Sequence, residues 1–190
     1  MSIDASMSAI TTREDFLEAA ATSPLAQVRL ELTADTETPV GIYAKLVGQG
    51  EGFLLESVEQ GERWSRFSFI GRRPLGTLAS IDGVLVASGA FPSELVSEGG
   101  IFDTVRRTLA HFRIDPDDRR LLLESGLVGY FGYDTVREIE DIPQRAPRSD
   151  SHPDALFHLI GEIVIIDHWR QTMTLVKNVV SQESDDRAER

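Results

Sequence analysis

Residues 156–180 have the sequence LFHLIGEIVIIDHWRQTMTLVKNVV. Two apolar runs, residues 156–166 and 172–180, flank the polar residues 167–171. Apolar runs rich in Ile, Val and Leu on either side of a short polar segment are typical of two paired strands. We therefore predict a long antiparallel hairpin, and we expect its open edge to have a pairing partner.

Working outward from the hairpin, the chain alternates further short strands with a few helices. Apolar and polar residues alternate over residues 27–33 and 64–70, and glycines flank the apolar run 127–131. We predict strands at residues 27–33, 53–57, 64–70, 77–81, 84–87 and 127–131, with a hairpin turn at Asp82-Gly83. Composition predicts that the strand at residues 53–57 is mostly buried. Mostly antiparallel strands with interspersed helices indicate an α+β fold rather than a doubly wound parallel sheet.

The sequence predicts four helices, three of them from signals at their starts. The sequence Thr11-Thr12-Arg13-Glu14-Asp15 resembles a capping box that opens a helix through about Ala21. Thr38 and Pro39 supply a cap and a first-turn proline. Asp134 is expected to cap a short helix that ends near Glu138. Apolar residues recur at helical spacing in the second helix, at Val40, Tyr43, Ala44 and Val47. Residues 101–112 are predicted to form an amphipathic helix, with Ile101, Val105, Leu109 and Phe112 on one stripe.

Composition excludes several classes of protein. The chain has 190 residues and a net charge of −12, which disfavours binding to nucleic acids and to anionic membranes. It contains no cysteine, so disulfides and thiolate catalysis are excluded. Its four histidines show no close pair at ligand spacing, which disfavours a metal site built from this chain alone. The N-terminus does not resemble a signal peptide, and we expect a cytoplasmic protein without membrane-spanning helices.

Two polar or glycine-rich segments have simple structural interpretations. The glycines of residues 126–132 lack phosphate-binding spacing, and we expect close backbone packing in a sheet there. Glu138, Glu140 and Asp141 are expected to form a solvated helix end rather than a catalytic carboxylate pair.

Leu54-Leu55-Glu56-Ser57 is the segment with the clearest ligand-binding potential. A carboxylate and a hydroxyl where an apolar strand ends can hold an ammonium group and orient a small polar ligand. Alternatively, Glu56 and Ser57 only cap the turn at residues 58–61, and physical reasoning alone favours this second interpretation.

Three segments together resemble the N-terminal region of anthranilate synthase component I, within the superfamily of chorismate-using enzymes. They are FLLESVEQGERWSRFSFIG (residues 53–71), TPVGIYAKL (38–46) and GLVGYFGYDTVR (126–137), and Asp167-His168 after an apolar strand also fits. The resemblance implies a sandwich fold with interleaved N- and C-terminal segments. It also implies conversion of chorismate and ammonia to anthranilate and pyruvate, supported by Mg²⁺ and by a glutamine amidotransferase subunit.

The resemblance further implies a role in feedback control. Ser57 is expected to line an L-tryptophan effector site, and Glu56 and Arg66 are assigned to it by their proximity in the motif. Residues 1–180 would form the N-terminal region and residues 181–190 a charged tail or linker. The C-terminal chorismate-binding region, with the catalytic and magnesium ligands, would be absent, so the chain alone is expected to be inactive. The alternatives are the equivalent region of aminodeoxychorismate synthase and a free-standing amino-acid-sensing module.

Overall fold

The structure is a computed structural model that describes residues 8–9, 11–56, 66–96, 99–114, 123–143 and 152–181. Within these ranges, the α-helices are α1 (Arg13–Thr22), α2 (Pro39–Leu46) and α3 (Gly100–His111), and short 3₁₀ helices lie at Ser93–Leu95 and Tyr133–Glu138. The strands are β1 (Ser8–Ala9), β2 (Leu25–Thr33), β3 (Gly52–Glu56), β4 (Phe67–Arg72), β5 (Gly76–Ile81), β6 (Val84–Gly89), β7 (Leu127–Phe131), β8 (Ala155–Leu159), β9 (Glu162–Asp167) and β10 (Thr172–Val180).

The strands form two antiparallel sheets, which confirms the predicted α+β class. One sheet has the order β1-β2-β10-β9-β4-β3 and the other the order β6-β5-β8-β7. The chain divides into two compact units, and each unit contains one sheet. The first comprises Met1–Arg73, Ile114–Ser125 and Gly161–Arg190, and the second comprises Pro74–Arg113 and Gly126–Ile160. In the part of the chain that is described, no helix has the length and apolarity to cross a membrane.

The first unit is organised around β10, which pairs with β2 along its whole length and with β9 on its other side. Helix α2 packs on one face of this sheet. Burial of apolar surface is the main stabilising term in such packing, and the buried cluster there consists of Ile42, Ile70, Val164 and Ile166. The sheet thereby fixes the strand ends of β3, β4 and β9.

Both predicted helix starts in the first unit are confirmed. The predicted stripe of α2 is only partly correct, since Tyr43 and Val47 pack against the buried cluster whereas Val40 and Ala44 are exposed. Thr12 forms the capping box with Asp15, and the Thr38 hydroxyl accepts a hydrogen bond from the Gly41 amide at 3.1 Å. In α2, Val40 is 61% exposed, whereas Ile42 is only 4% exposed. In a helix of only two turns, the spacing of apolar residues does not distinguish between two neighbouring faces as the buried one. Packing against the sheet buries the face that contains Ile42.

The second unit packs α3 against its four-stranded sheet. Leu78, Ile101, Ala155 and Phe157 form the buried cluster. The predicted hairpin of β5 and β6 is confirmed, with positive φ at both turn residues, 53° at Asp82 and 76° at Gly83. Positive φ at both central positions is the requirement of a type I′ turn.

The predicted stripe of α3 is only partly correct. Ile101 and Phe112 are buried, but Leu109 is 47% exposed and the threonines Thr104 and Thr108 are fully buried instead. The Thr108 hydroxyl donates to the Thr104 carbonyl at 2.8 Å, so a side chain that looks polar in the sequence satisfies its hydroxyl inside the helix.

Glu138 has a more specific role than the predicted solvated helix end. Its Oε2 accepts the Ile101 amide at 2.9 Å and thus caps the N-terminus of α3, where a negative charge is stabilising. Asp134 does not cap the 3₁₀ helix Tyr133–Glu138 as predicted. It pairs with Arg137 at 2.9 Å, and the residue in the cap position is Gly132.

The predicted strand at residues 156–166 is two strands in different sheets. β8 ends at Leu159 and pairs with β5 and β7, while β9 begins at Glu162 and pairs with β4 and β10. Ile160 and Gly161 separate them. The apolar run is continuous in the sequence because both strands are buried, and periodicity does not encode which sheet a strand joins. Only residues 162–167 form the predicted hairpin, with residues 172–177 of β10.

The glycine-rich segment at residues 126–132 packs closely against a neighbouring strand, as expected. A Cβ built on Gly129 would lie 1.9 Å from the Leu156 carbonyl oxygen, so only glycine fits where β7 pairs with β8. The charged tail predicted at residues 181–190 lies outside the described residues, except for Ser181.

Candidate functional site

The candidate site lies where β3 ends. Glu56 is the last residue of β3 and is exposed, and it is the cross-strand partner of Ser68 in β4. The strand is less buried than its composition predicts, with Leu55 43% exposed, because β3 is at the edge of the sheet. Ser57 and the turn at residues 58–61 lie outside the described residues, so both interpretations of Ser57 stay predictions.

Arg66 precedes β4 and forms a two-pronged ion pair with Asp167, the last residue of β9. Arg66 Nε donates to Asp167 Oδ1 at 2.9 Å, and Arg66 Nη2 donates to Asp167 Oδ2. Strand pairing brings Arg66 close to Asp167, because the next residue, Phe67, is the register partner of Asp167 in β4 and β9. A fork of this kind combines charge attraction with a fixed geometry.

Asp167 also organises the turn between β9 and β10. Its Oδ1 accepts the backbone amides of Trp169 at 3.0 Å and Arg170 at 3.2 Å. Aspartate commonly stabilises a turn by bonding amides a few residues ahead of it. The carboxylate therefore connects the start of β4 to the β9–β10 turn.

The electrostatics of this pair favour the charged form of both groups. Burial raises the pKa of Asp167, but hydrogen bonds from Arg66 and from the amides of Arg170 and Trp169, together with the charge of Arg66, hold it below the ordinary value. The hydrogen bond with Asp167 raises the pKa of Arg66, against a smaller opposing effect of desolvation. The pair thus stays ionised at neutral pH.

Aromatic rings complete the surroundings of Arg66. Its guanidinium carbon lies 4.8 Å from the ring centroid of Phe67 and 5.4 Å from that of Trp169. Both distances are within the range of cation–π attraction. The Trp169 side chain is 84% exposed, so the ring shields one side of the ion pair rather than belonging to a core.

A histidine and a serine lie on the same strand pair. His168 Nε2 is 2.8 Å from the hydroxyl of Ser68, which is buried. The His168 amide also donates to the Arg66 carbonyl at 2.9 Å. Because Ser68 is the cross-strand partner of Glu56, the polar end of the sheet contains Glu56, Ser68 and His168 together.

Sequence reasoning identified Glu56 and Arg66 but not the partner of Arg66. The structure brings both residues to the same end of the sheet, and it places the fork of Arg66 on Asp167. The sequence contained one usable signal, the acid that follows the apolar run of β9. An acid after a strand has many alternative roles, and only the register of β4 against β9 identifies this one.

The first unit contains a second polar cluster, which was not predicted from the sequence. Arg29 Nη2 lies 2.8 Å from Glu124 Oε1, and both side chains are buried. Asn178 Nδ2 donates to the Glu124 carbonyl at 2.9 Å, and Gln27 Nε2 donates to Asn178 Oδ1 at 2.8 Å. The cluster holds the segment around Glu124 to β2 and β10. Within the described ranges, no group of three His, Cys, Asp or Glu side chains could hold a metal ion.

The chain was compared with known proteins. No protein-family model matches it. Anthranilate synthase component 1 of Mycolicibacterium smegmatis is 37% identical over 183 residues, which are 96% of this chain and 35% of the relative. The protein of the same name from Arthrobacter globiformis is 38% identical over 170 residues, which are 88% of this chain and 32% of the relative.

A solved structure of a protein with the same name has a fold similar to that of this chain. The crystal structure of anthranilate synthase component I from Streptococcus pneumoniae TIGR4 matches with a TM-score of 0.50 at 20% identity, over 82% of this chain and 33% of that one. At that identity the match shows the fold alone. Over nearly its whole length, the chain is similar in sequence to anthranilate synthase component 1, and it spans about a third of the length of these relatives.

Proposed function

We propose that this chain is the N-terminal region of anthranilate synthase component I in tryptophan biosynthesis. The parent enzyme would convert chorismate and glutamine or ammonia to anthranilate and pyruvate. The observation that carries the proposal is the 37% identity to a protein of that name over 96% of the chain. The match covers only 35% of the relative, so the chemistry would require the remaining part of the polypeptide.

The proposal includes the partners and the cofactor of the parent enzyme. A glutamine amidotransferase subunit would supply ammonia, and a C-terminal region would bind chorismate. Mg²⁺ would be bound there too. The parent enzyme would act in the cytoplasm. The role of this region would be structural and regulatory.

We place an L-tryptophan feedback site at the end of β3, with Ser57, Glu56 and Arg66. The exposed carboxylate of Glu56 is suited to an ammonium group. Leu54, on the same face of β3 as Glu56, is only partly buried against the cluster of Ile42, Ile70, Val164 and Ile166, and it offers apolar surface to an aromatic side chain. An effector that binds away from the chemistry acts by favouring one of two arrangements of the enzyme.

Genetic complementation tests this proposal and its alternatives. The full-length polypeptide that contains this region should restore growth without tryptophan to a strain that lacks anthranilate synthase component I. It should fail in a strain that lacks aminodeoxychorismate synthase component I and needs p-aminobenzoate. The reverse result would favour aminodeoxychorismate synthase, and failure in both strains would favour a free-standing sensing module. The 190-residue chain alone serves as the matched control and should restore neither.

A further inference from the structure

A cavity of about 230 Å³ lies on the six-stranded sheet of the first unit, on the face against which α2 packs. One row of cross-strand partners along the cavity is entirely apolar. It consists of Leu30, Leu175, Val164 and Ile70. Directly opposed residues of paired strands project from the same face of a sheet, so these four side chains form a continuous apolar floor.

The next row of cross-strand partners along the cavity is mostly charged. It lies two residues further along each strand and consists of Val28, Lys177, Glu162 and Arg72. Residues two apart in a strand lie on the same face, so this row, the charged rim, borders the apolar floor. Val28 and Lys177 are exposed, so the cavity opens to solvent at the charged rim.

The charged rim carries an excess of positive charge. Glu162 is engaged by two arginines, with its Oε2 2.7 Å from Arg72 Nε and its Oε1 3.4 Å from Arg73 Nη1. Lys177 adds a third cation on the same side of the cavity. Two arginines and a lysine thus accompany one carboxylate, although the whole chain has a net charge of −12. A local excess of this sign attracts anions.

Lys177 is the cation that is available to a ligand. Arg72 is held by Glu162 and also donates from Nη1 to the Leu46 carbonyl of α2 at 2.9 Å. In the part of the chain that the structure describes, the ammonium group of Lys177 has neither an ion pair nor a hydrogen bond. A lysine ammonium offers three donors to an acceptor such as a carboxylate.

We propose that this cavity binds a small monocarboxylate with an apolar body, and that Lys177 pairs with the carboxylate. The volume points to a small molecule, because an apolar cavity of roughly 150 Å³ takes up benzene, whereas a protein partner needs about 800 Å² of surface. An aromatic ring or a short alkyl chain would bury apolar surface on the floor. The cavity lies at the opposite end of β4 and β9 from Arg66 and Asp167, so the inference does not rest on the proposed feedback site.

Methyl-group NMR of the full-length polypeptide tests the proposal, with benzoate as the probe. Benzoate should shift the methyl signals of Val28, Leu30 and Leu175 and saturate them with a Kd on the order of 1 mM or tighter. Because these groups line the cavity, benzoate bound elsewhere on the polypeptide does not reproduce the result. Hexanoate should shift the same signals. Acetate lacks the apolar body and benzyl alcohol lacks the charge, so both should bind more weakly.

Three variants locate the ligand and its charge partner. Lys177→Met keeps a long side chain without the charge and should weaken benzoate binding on the order of fivefold, as expected for an exposed ion pair. Lys45→Met is the matched control and should bind like the wild type, because Lys45 is an exposed lysine that pairs with Glu37. Val28→Phe adds volume at the charged rim and should abolish the shift of the Leu175 signal.

Benzoate that leaves the methyl signals of the cavity unchanged would overturn the proposal, because the remaining part of the polypeptide would then cover the cavity. Equal affinity of the wild type and Lys177→Met, or of benzoate and benzyl alcohol, would show that the charge is not recognised and would overturn it too. Undiminished binding by Val28→Phe, in a variant that melts like the wild type, would place the ligand elsewhere. Lys177→Met changes an exposed side chain, so its result does not depend on whether Val28→Phe folds.

Discussion

Arg29 and Glu124 form a buried ion pair, with Arg29 Nη2 2.8 Å from Glu124 Oε1, although they are far apart in the sequence. Removing one partner of such a pair leaves a buried charge without compensation and costs about 3–5 kcal/mol. We expect Glu124→Ala to destabilise the first unit by that amount. Hydrogen exchange of the β2 and β10 amides in the full-length polypeptide measures the loss.

The double variant Arg29→Met/Glu124→Met is the control for this prediction. Replacing both charges by apolar side chains of similar size removes the desolvation cost together with the attraction. The double variant should therefore be more stable than Glu124→Ala. Unchanged exchange rates in Glu124→Ala would show that the pair does not stabilise the sheet.

Gly129→Ala should disrupt the pairing of β7 with β8. The added Cβ would lie 1.9 Å from the Leu156 carbonyl oxygen, and a backbone atom cannot move aside as a side chain can. We expect a loss of about 3 kcal/mol or more, at the upper end of the costs of overpacking. Thermal unfolding and exchange of the β8 amides provide the measurement.

Gly83→Ala separates steric clash from backbone strain. An added Cβ at Gly83 has no neighbour within 4 Å, but its φ of 76° is unfavourable for alanine. The expected loss is about 1–2 kcal/mol, the cost of a left-handed conformation. If the two variants lost equal stability, the close approach at Gly129 would not be the limiting contact.

The pair of Arg66 and Asp167 predicts a specific dependence of stability on pH. The folded-state pKa of Asp167 is lowered, whereas the unfolded value is about 3.9. The stabilising contribution of Asp167 is therefore fully present above about pH 4 and is lost as the pH falls through the folded-state pKa. Unfolding free energies measured from pH 6 to pH 2 should show the wild type losing its advantage over Asp167→Asn in acid. A difference between the two proteins that does not depend on pH would contradict this assignment.

Local patterns in the sequence predicted where helices, strands and turns lie better than they predicted which strands pair with one another. The capping box at Thr12, the proline-started helix after Thr38 and the turn at Asp82-Gly83 depend on neighbouring residues, and all three are confirmed. The apolar run at residues 156–166 was predicted as one strand, although it supplies two sheets. Sheet membership depends on distant strands and is not encoded in a local period.

At the candidate site too, the sequence did not predict which distant residues are in contact. Glu56 and Arg66 were assigned to the site because they lie in one recognisable segment, and this assignment stays a prediction. Asp167 is 101 positions from Arg66, and nothing in either local sequence indicates that they form a pair. The burial of Thr104 and Thr108 in place of Leu109 could not be predicted from the sequence either, since it depends on how α3 packs against its sheet.

Ser57→Ala should weaken feedback inhibition while leaving the melting temperature nearly unchanged. Loss of a hydrogen bond to a charged group costs roughly 1.5–3 kcal/mol, which corresponds to an increase on the order of 10- to 150-fold in the half-inhibiting tryptophan concentration. If Ser57 is only a turn cap, stability should instead fall by about 1 kcal/mol and tryptophan sensitivity should persist. Inhibition and melting curves of the same variant distinguish the two roles.

The formation of anthranilate from chorismate is the decisive test of the proposed enzyme. The full-length polypeptide, purified with its amidotransferase subunit and supplied with glutamine and Mg²⁺, should produce fluorescent anthranilate and pyruvate in equal amounts, and tryptophan should inhibit the reaction. The 190-residue chain alone should produce none under the same conditions. Aminodeoxychorismate as the product, or no turnover by the full-length polypeptide, would contradict the assignment.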